Sequence, residues 1–175
     1  MAVSLILLEI AGVEGESTIA HFENQIVVDS FSWDVDAKLT REAVTTNMTA
    51  QLDAKAVSIK KRFDSASTTL RQMMTSDDPF TATLRVLDPA SRGAPDADGM
   101  AKIDAMLEIK LEGCHIDKID LSASDSGKTI ALSEDVTISF TKQAGLTYRS
   151  YPKASKSRTS AAPAVIPANK GSEKK

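Results

Sequence analysis

The residue types that most often perform catalysis or bind metals are sparse in this chain. Its 175 residues include two histidines, His21 and His115, and one cysteine, Cys114. Neither histidine belongs to an HxH or HExxH spacing, so the pattern does not indicate a metal site or an acid–base pair. Adjacent residues of a strand point to opposite faces, which separates Cys114 from His115. The sequence therefore predicts no catalytic, cofactor-binding or metal-ligating residue.

Ser17 is the remaining candidate nucleophile. The stretch Gly15-Glu16-Ser17 lacks the second glycine of a GxSxG elbow, and no strand-to-helix junction surrounds it. Phosphate-binding loops of the GxGxxG or GxxxxGK[ST] type do not occur. A single cysteine also excludes an internal disulfide and a CxxC redox pair. We predict that the protein is not an enzyme and needs no cofactor.

The elements that would position functional residues are mainly strands. Apolar and polar residues alternate with period two, which is typical of strands with one buried face. Residues 65–75 differ, because Leu70, Met73 and Met74 follow helical spacing behind the candidate caps Asp64 and Ser65. We predict one short helix there, a long loop over 36–50, and a turn or bulge at Gly113. The predicted strands are 80–87, 103–111 and 136–141, with others at 4–10, 25–35, 52–63 and 115–122.

Composition predicts one domain followed by a tail. Residues 152–175 contain six lysines and arginines, one glutamate and three prolines, which indicates a basic, disordered C-terminal tail after a domain spanning 1–151. The net charge of the whole chain is −3, so the domain is acidic and nucleic-acid binding is not expected. The longest apolar run, Leu5 to Leu8, is too short for membrane insertion as a helix. Met1 to Ser4 contains no basic residue, so we expect no signal peptide and folding in the cytoplasm.

Three stretches carry a family resemblance. Gly15-Glu16-Ser17 with His21, Ile26-Val27-Val28 and Ser30-Phe31-Ser32-Trp33 resembles the N-terminal signature of the haemolysin-coregulated proteins (Hcp) of type VI secretion systems. Lys61 to Ser67 followed by Leu70 is similar to the strand-to-helix junction of that family. Glu134 to Lys142 with Tyr148 is similar to its closing strand. The three stretches occur in the family's order and cover about residues 3 to 151.

The resemblance implies a fold and an assembly. The fold would be an antiparallel β-barrel of two packed sheets with one short flanking α-helix. Homohexameric rings would stack into a tube that carries or chaperones effectors, with sheath, spike and effector proteins as partners. Such a tube would be loaded in the cytoplasm and secreted through the machine without a signal peptide.

Candidate contact residues follow from the strand pattern together with this implication. Phe31 and Trp33 share one strand face and are expected in the core, so Ser30 and Ser32 point the other way. We therefore predict that Ser30 and Ser32 line the lumen and contact cargo. The helix and the segment 36–50 are candidate contacts between subunits or rings, represented by Val44, Met48, Arg71 and Gln72.

Two other readings stay open at this stage. A tail-tube subunit of a phage-like contractile device would share the fold and the ring. A small-ligand-binding β-barrel would instead be a monomer in solution. A hydrolase based on Ser17 or His21 has the weakest support, because neither residue has a visible partner.

Overall fold

The computed structural model describes residues 5–41, 48–90, 99, 103–150, 159–160 and 166–167. Within these residues the chain forms strands and one helix. The elements are β1 (Ile6–Ile10), β2 (Ile26–Val28), β3 (Ser30–Arg41), β4 (Met48–Arg62), α1 (Ala66–Met73), β5 (Phe80–Leu87), β6 (Ala105–Asp125), β7 (Ile130–Ser139), β8 (Lys142–Ser150), β9 (Thr159–Ser160) and β10 (Ile166–Pro167). The prediction of a mainly β protein with one short helix is confirmed.

The strands form one antiparallel sheet with the order β2-β1-β5-β6-β7-β4-β3. Strand β6 is long enough to pair with neighbours in two different parts of this sheet. Its first half pairs with β5 and β8, and its second half, from His115, pairs with β7. The register between β5 and β6 shifts close to Gly113, where φ is +64°. Gly113 is thus a bulge, which was one of the two predicted alternatives, and the strands predicted at 103–111 and 115–122 are two parts of the single strand β6.

The predicted barrel is not closed by pairing among the described strands. The strand order begins at β2 and ends at β3. These two are consecutive in the chain and separated only by Asp29, whose amide donates to Lys60 O at 2.8 Å. The segment 26–41 therefore bends from one half of the sheet into the other, as β6 does. The result is two facing halves joined at two bent strands, rather than a continuous cylinder.

The core lies between these halves. Its buried members come from β1, β2, β4, β5, β6, β7 and α1, with Val13 from the segment after β1, and form a single cluster. Phe31 and Trp33 pack against this cluster, as the strand pattern predicted. The Trp33 and Phe140 rings meet edge to face, with their centroids 6.3 Å apart. Burying one aliphatic side chain of the cluster stabilises the fold by roughly 1.5–3 kcal/mol. This shared core fixes the relative positions of the strands that carry the candidate site.

Helix α1 starts where β4 ends. Asp64 Oδ1 accepts a hydrogen bond from the Ala66 amide at 3.0 Å, so Asp64 supplies the cap and Ser65 makes no side-chain cap bond. Leu70 is fully buried and Met73 packs against the core. Met74 is 41% exposed, because it follows the end of the helix. The apolar stripe is therefore narrower than the sequence predicted.

Two further predictions differ from the structure or lie partly outside it. The loop expected over 36–50 was wrong, because β3 continues to Arg41 and pairs with β4 from Met48 onward. The two segments form backbone hydrogen bonds with each other, so neither segment needs contact with the core to form a strand. Residues 42–47 lie outside the described residues. Most of the predicted tail does too, although β9 and β10 within it pair with β8, and its disorder stays a prediction.

Candidate functional site

The most concentrated group of polar side chains surrounds Lys61, at the end of β4. Its ammonium group is fully buried and lies within hydrogen-bond distance of four acceptors. These are Arg62 O at 2.7 Å, Asp64 Oδ1 at 2.7 Å, Ser67 Oγ at 2.9 Å and Glu134 Oε2 at 3.1 Å. An ammonium group has three hydrogens, so two acceptors share one of them. Lys61 thereby joins β4, β7 and the start of α1.

Glu134 on β7 is the acidic centre of this network. Ser67 Oγ donates to its Oε2 at 2.6 Å, and Arg71 Nη1 lies 2.5 Å from its Oε1. Burial raises the pKa of this carboxyl, but hydrogen bonds from Ser67, Lys61 and Arg71 outweigh burial and hold the pKa below its usual value. The positive charges of Lys61 and Arg71 balance the negative charges of Asp64 and Glu134, so the network has no net charge.

The lowered pKa of Glu134 predicts a pH dependence of stability. The stabilisation is fully present above the carboxyl's unfolded pKa of about 4.3 and is lost as pH falls through the lower folded pKa. We expect the parent protein to lose more unfolding free energy between pH 7 and pH 3 than Glu134→Gln, which cannot titrate there. Urea unfolding at a series of pH values measures the difference. Equal losses in both proteins would show that Glu134 does not contribute.

This network is structural rather than catalytic. Ser67 is fully buried, so its hydroxyl cannot reach a substrate, and its one hydrogen is committed to Glu134 at the shortest distance. Arg71 also donates to Ser67 O at 3.0 Å, and its guanidinium lies 5.4 Å from the Phe63 ring centroid. Arg71, which was predicted to contact another subunit or ring, is therefore also held by Glu134, Ser67 and Phe63 of its own chain. Gln72 beside it is exposed and free to face a neighbour.

The other candidate nucleophiles are apart from each other. Ser17 is buried, and its hydroxyl lies 3.3 Å from the Ile19 amide. His115 Nε2 lies 3.4 Å from Asp77 O. Burial raises the pKa of the Cys114 thiol to about 11, so it is not a thiolate at neutral pH. Within the described ranges, no three His, Cys, Asp or Glu side chains are grouped to hold a metal ion.

A second polar surface covers β3, β4, β7 and the second half of β6, on the side opposite the core. We call it the polar face. One row across it contains Ser32, Ser58, Thr137 and Lys118, which pair in that order. The next row contains Ser30, Lys60, Asp135 and Asp120. Ser30 and Ser32 are exposed, with the orientation that the strand pattern predicted.

Small and oppositely charged groups dominate this polar face. Lys118 Nζ lies 2.7 Å from Asp120 Oδ2, and both side chains are mostly exposed. A shallow depression of about 160 Å³ lies among Ser30, Ser32, Ser58, Lys60 and Asp135. Such exposed groups keep their water, so a macromolecule passing over them would meet weak, water-mediated contacts. The surface is chemically suited to contact without tight binding.

The strands that carry the polar face are β3, β4, β7 and the second half of β6, and together they form a four-stranded half of the sheet. This four-stranded half has a strand edge on each side. Among the described residues, β3 pairs only with β4, and residues 115–125 of β6 pair only with β7. Unpaired strand edges present free amides and carbonyls that favour pairing with another chain. Of the predicted contact residues, Met48 begins β4 and is described by its backbone alone, and Val44 lies outside the described residues.

No helix in the described part of the chain is long and apolar enough to cross a bilayer.

Comparison with known proteins identifies relatives of this fold. The model of the family described as "Type VI secretion system effector, Hcp" matches residues 7–148. A solved type six secretion system protein is similar with a TM-score of 0.72 and 20% identity, covering 93% of each chain. Hcp1 from Salmonella typhimurium has a TM-score of 0.61 at 20% identity, covering 93% of this chain and 95% of its own. A type VI secretion system effector from Yersinia pestis has a TM-score of 0.59 at 24% identity, covering 89% and 96%. Among curated protein sequences, none matches the chain.

Proposed function

The chain belongs to the Hcp family of type VI secretion system proteins, and from this premise we propose that it is a subunit of the secretion tube. Six copies form a ring, rings stack into a tube, and effectors travel in the lumen. The protein acts as a structural and carrier component rather than as an enzyme. It leaves the cell through the machine itself.

The two unpaired edges of the four-stranded half support the ring. The strands β6, β7, β4 and β3 alternate in direction, so β3 at one edge runs opposite to β6 at the other. Because the number of strands is even, identical copies related by rotation about an axis along the strands can join β3 of one to β6 of the next. The antiparallel order then continues without interruption. A contact between two different surfaces closes into a ring when the rotation closes.

The polar face supports the assignment of the lumen. Lateral joining of the four-stranded halves places either their core side or their polar face toward the axis, and the core side is covered by the other half of the sheet. Ser30 and Ser32, with Ser58 and Thr137 beside them, then line the channel. Effectors held by wet, modest contacts can be carried and later released.

Other partners are assigned to other surfaces. Gln72 and the exposed side of α1 are contacts between subunits, and the β3–β4 connection with Val44 and Met48 contacts the next ring. Sheath, spike and effector proteins of the machine are the remaining partners of the tube.

Native mass spectrometry tests the ring. At micromolar concentration we expect a species of six times the 18.7 kDa subunit mass. In this species the edges of β3 and β6 should pair with each other across neighbouring copies. The hexamer should therefore persist on dilution, whereas an assembly held by small, weak contacts would dissociate. A monomer as the sole species would refute the tube function and favour a ligand-binding module. A dimer alone would indicate an assembly of a different kind.

A further inference from the structure

The other half of the sheet has β8 as one of its two outer strands. In order, this five-stranded half contains β2, β1, β5, the first half of β6 and β8. Strand β2 has three residues and is followed after Asp29 by β3. Strand β8 has nine residues, Lys142–Ser150, so it offers the longer outer edge. A long outer edge presents amides and carbonyls that favour pairing with another chain.

Two short pieces of the tail, β9 and β10, pair with this edge of β8. The pairs are Pro167 with Lys142, Ile166 with Gln143, Ser160 with Arg149 and Thr159 with Ser150. Lys142 and Gln143 also pair with β6, so β10 lies on the opposite edge of β8. Gln143 and Arg149 are six positions apart on β8, and their partners in the tail are also six positions apart. One passage of the tail along β8 therefore accounts for both pairings.

The edge of β8 is covered most completely at Gln143. This residue has Leu111 of β6 on one side and Ile166 of β10 on the other. Its side chain is fully buried, as in a strand with a neighbour on each side. Strand β10 also lies close to β4, which belongs to the four-stranded half. The tail therefore occupies the place where the outer edge of β8 approaches the other half of the sheet.

Pro167 determines which backbone amide of β10 faces β8. Neighbouring pairs of an antiparallel ladder alternate between pairs that exchange hydrogen bonds and pairs that do not. Proline has no amide hydrogen, so Pro167 and Lys142 form a pair of the second kind. Ile166 and Gln143 then exchange hydrogen bonds, and the Ile166 amide faces β8. The nitrogen of Pro167 faces away from β8, where it offers no donor to a further strand, as is typical of an edge strand.

The composition of the tail agrees with this pairing. Residues 159–167 contain no charged side chain, whereas Arg158 directly precedes them and Lys170 follows. An uncharged segment between charged flanks is better suited to pairing with a strand than to remaining solvated. The segment also lies outside residues 7–148, which the family model matches. Membership of the family therefore does not imply this pairing.

We propose that β9 and β10 are masking strands, which cover the outer edge of β8 so that copies of the chain pair through β3 and β6 alone. The occupant of the β8 edge is thus the chain's own tail. The two open edges of the four-stranded half stay available for the ring, while the five-stranded half is closed to other chains by a strand that cannot extend the sheet at Pro167. This inference rests on the proposed tube function, because correct ring formation is the process that the masking would direct.

A substitution at Ile166 tests the masking in the full chain. Ile166→Pro removes the amide hydrogen that faces Gln143. The matched control is Ile166→Val, which keeps this hydrogen and a β-branched side chain. Hydrogen exchange followed by mass spectrometry measures the protection of the β8 amides, and native mass spectrometry measures the assemblies. A second pair of variants lacks residues 159–175 or, as its control, residues 169–175.

We expect exchange at the β8 amides to be at least tenfold faster in Ile166→Pro than in Ile166→Val, which should match the parent. We also expect at least a threefold larger share of chains in assemblies whose number of copies is not a multiple of six. Removal of residues 159–175 should have both effects, and removal of residues 169–175 should have neither.

Equal exchange in Ile166→Pro and Ile166→Val would overturn the masking strand and leave the tube function intact. Faster exchange with only hexamers and their multiples would also overturn the proposal, because the uncovered edge of β8 would not compete for pairing. Failure of the parent chain to form rings would refute the tube function, and the directing role of the tail with it.

Discussion

Replacing Lys61 with methionine is expected to lower the free energy of unfolding by about 3–5 kcal/mol. The substitution keeps an unbranched apolar side chain in place of the lysine stem but removes the ammonium group that four buried or partly buried acceptors surround. Glu134 and Asp64 then retain their negative charges with Arg71 as the only nearby cation of the network. An uncompensated charge in a buried position is the main cost, rather than the loss of any single hydrogen bond.

Urea unfolding of the variant and of a matched control measures this effect. Lys60→Met is the control, because Lys60 precedes Lys61 but is exposed on the polar face. We expect the control to change stability by less than about 0.5 kcal/mol. Combining Lys61→Met with Glu134→Leu should recover part of the loss, since removal of both charges leaves less buried charge unpaired. A Lys61→Met variant as stable as the control would contradict the role assigned to the network.

Replacing Gly15 with alanine is the second substitution with a large expected effect. The Gly15 amide donates to Asn24 O at 2.8 Å, which brings this segment against the strand entering β2. A Cβ atom at position 15 would lie 2.5 Å from both Gln25 O and Ile26 Cα. These are backbone atoms and cannot rotate away, so the two segments must separate. We expect a loss of about 3 kcal/mol, and roughly 6–12 °C in melting temperature for a domain of this size.

Gly145→Ala is the matched control for this prediction. Its Cβ would meet only Lys110 Cβ, at the ordinary contact distance of 3.9 Å, within the paired strands β8 and β6. Thermal unfolding should therefore give a value near that of the parent for Gly145→Ala. If Gly15→Ala melted at the same temperature as this control, the close approach at Gly15 would not constrain the fold.

The strand pattern predicted the parts of the fold in which alternation coincides with burial. Ser30 and Ser32 are exposed while Phe31 and Trp33 pack against the core, because period two fixes opposite faces along β3. The same reasoning missed the outer part of β3 and β4. Half of the apolar positions there are alanine, such as Ala37 and Ala50, which gives a weak hydrophobic signal. Its strand structure comes from pairing between the two segments.

The network around Lys61 shows a second limit of sequence reasoning. Lys61 and Glu134 are 73 positions apart, and no local pattern indicates that they meet. Their partnership depends on the pairing of β4 with β7, in which Lys61 is directly opposite Glu134. The family resemblance had marked both stretches, but it did not show that they form one buried network. Similarly, Gly113 ended a predicted strand because alternation alone does not distinguish a bulge from a turn.

Electron cryomicroscopy of the purified protein tests the tube function most directly. We predict closed rings of six copies, with β3 of one copy paired antiparallel to residues 115–125 of β6 in the next. Ser30 and Ser32 should lie on the wall of an open channel. Isolated monomers, or rings in which these two edges stay apart and the polar face points outward, would contradict the account.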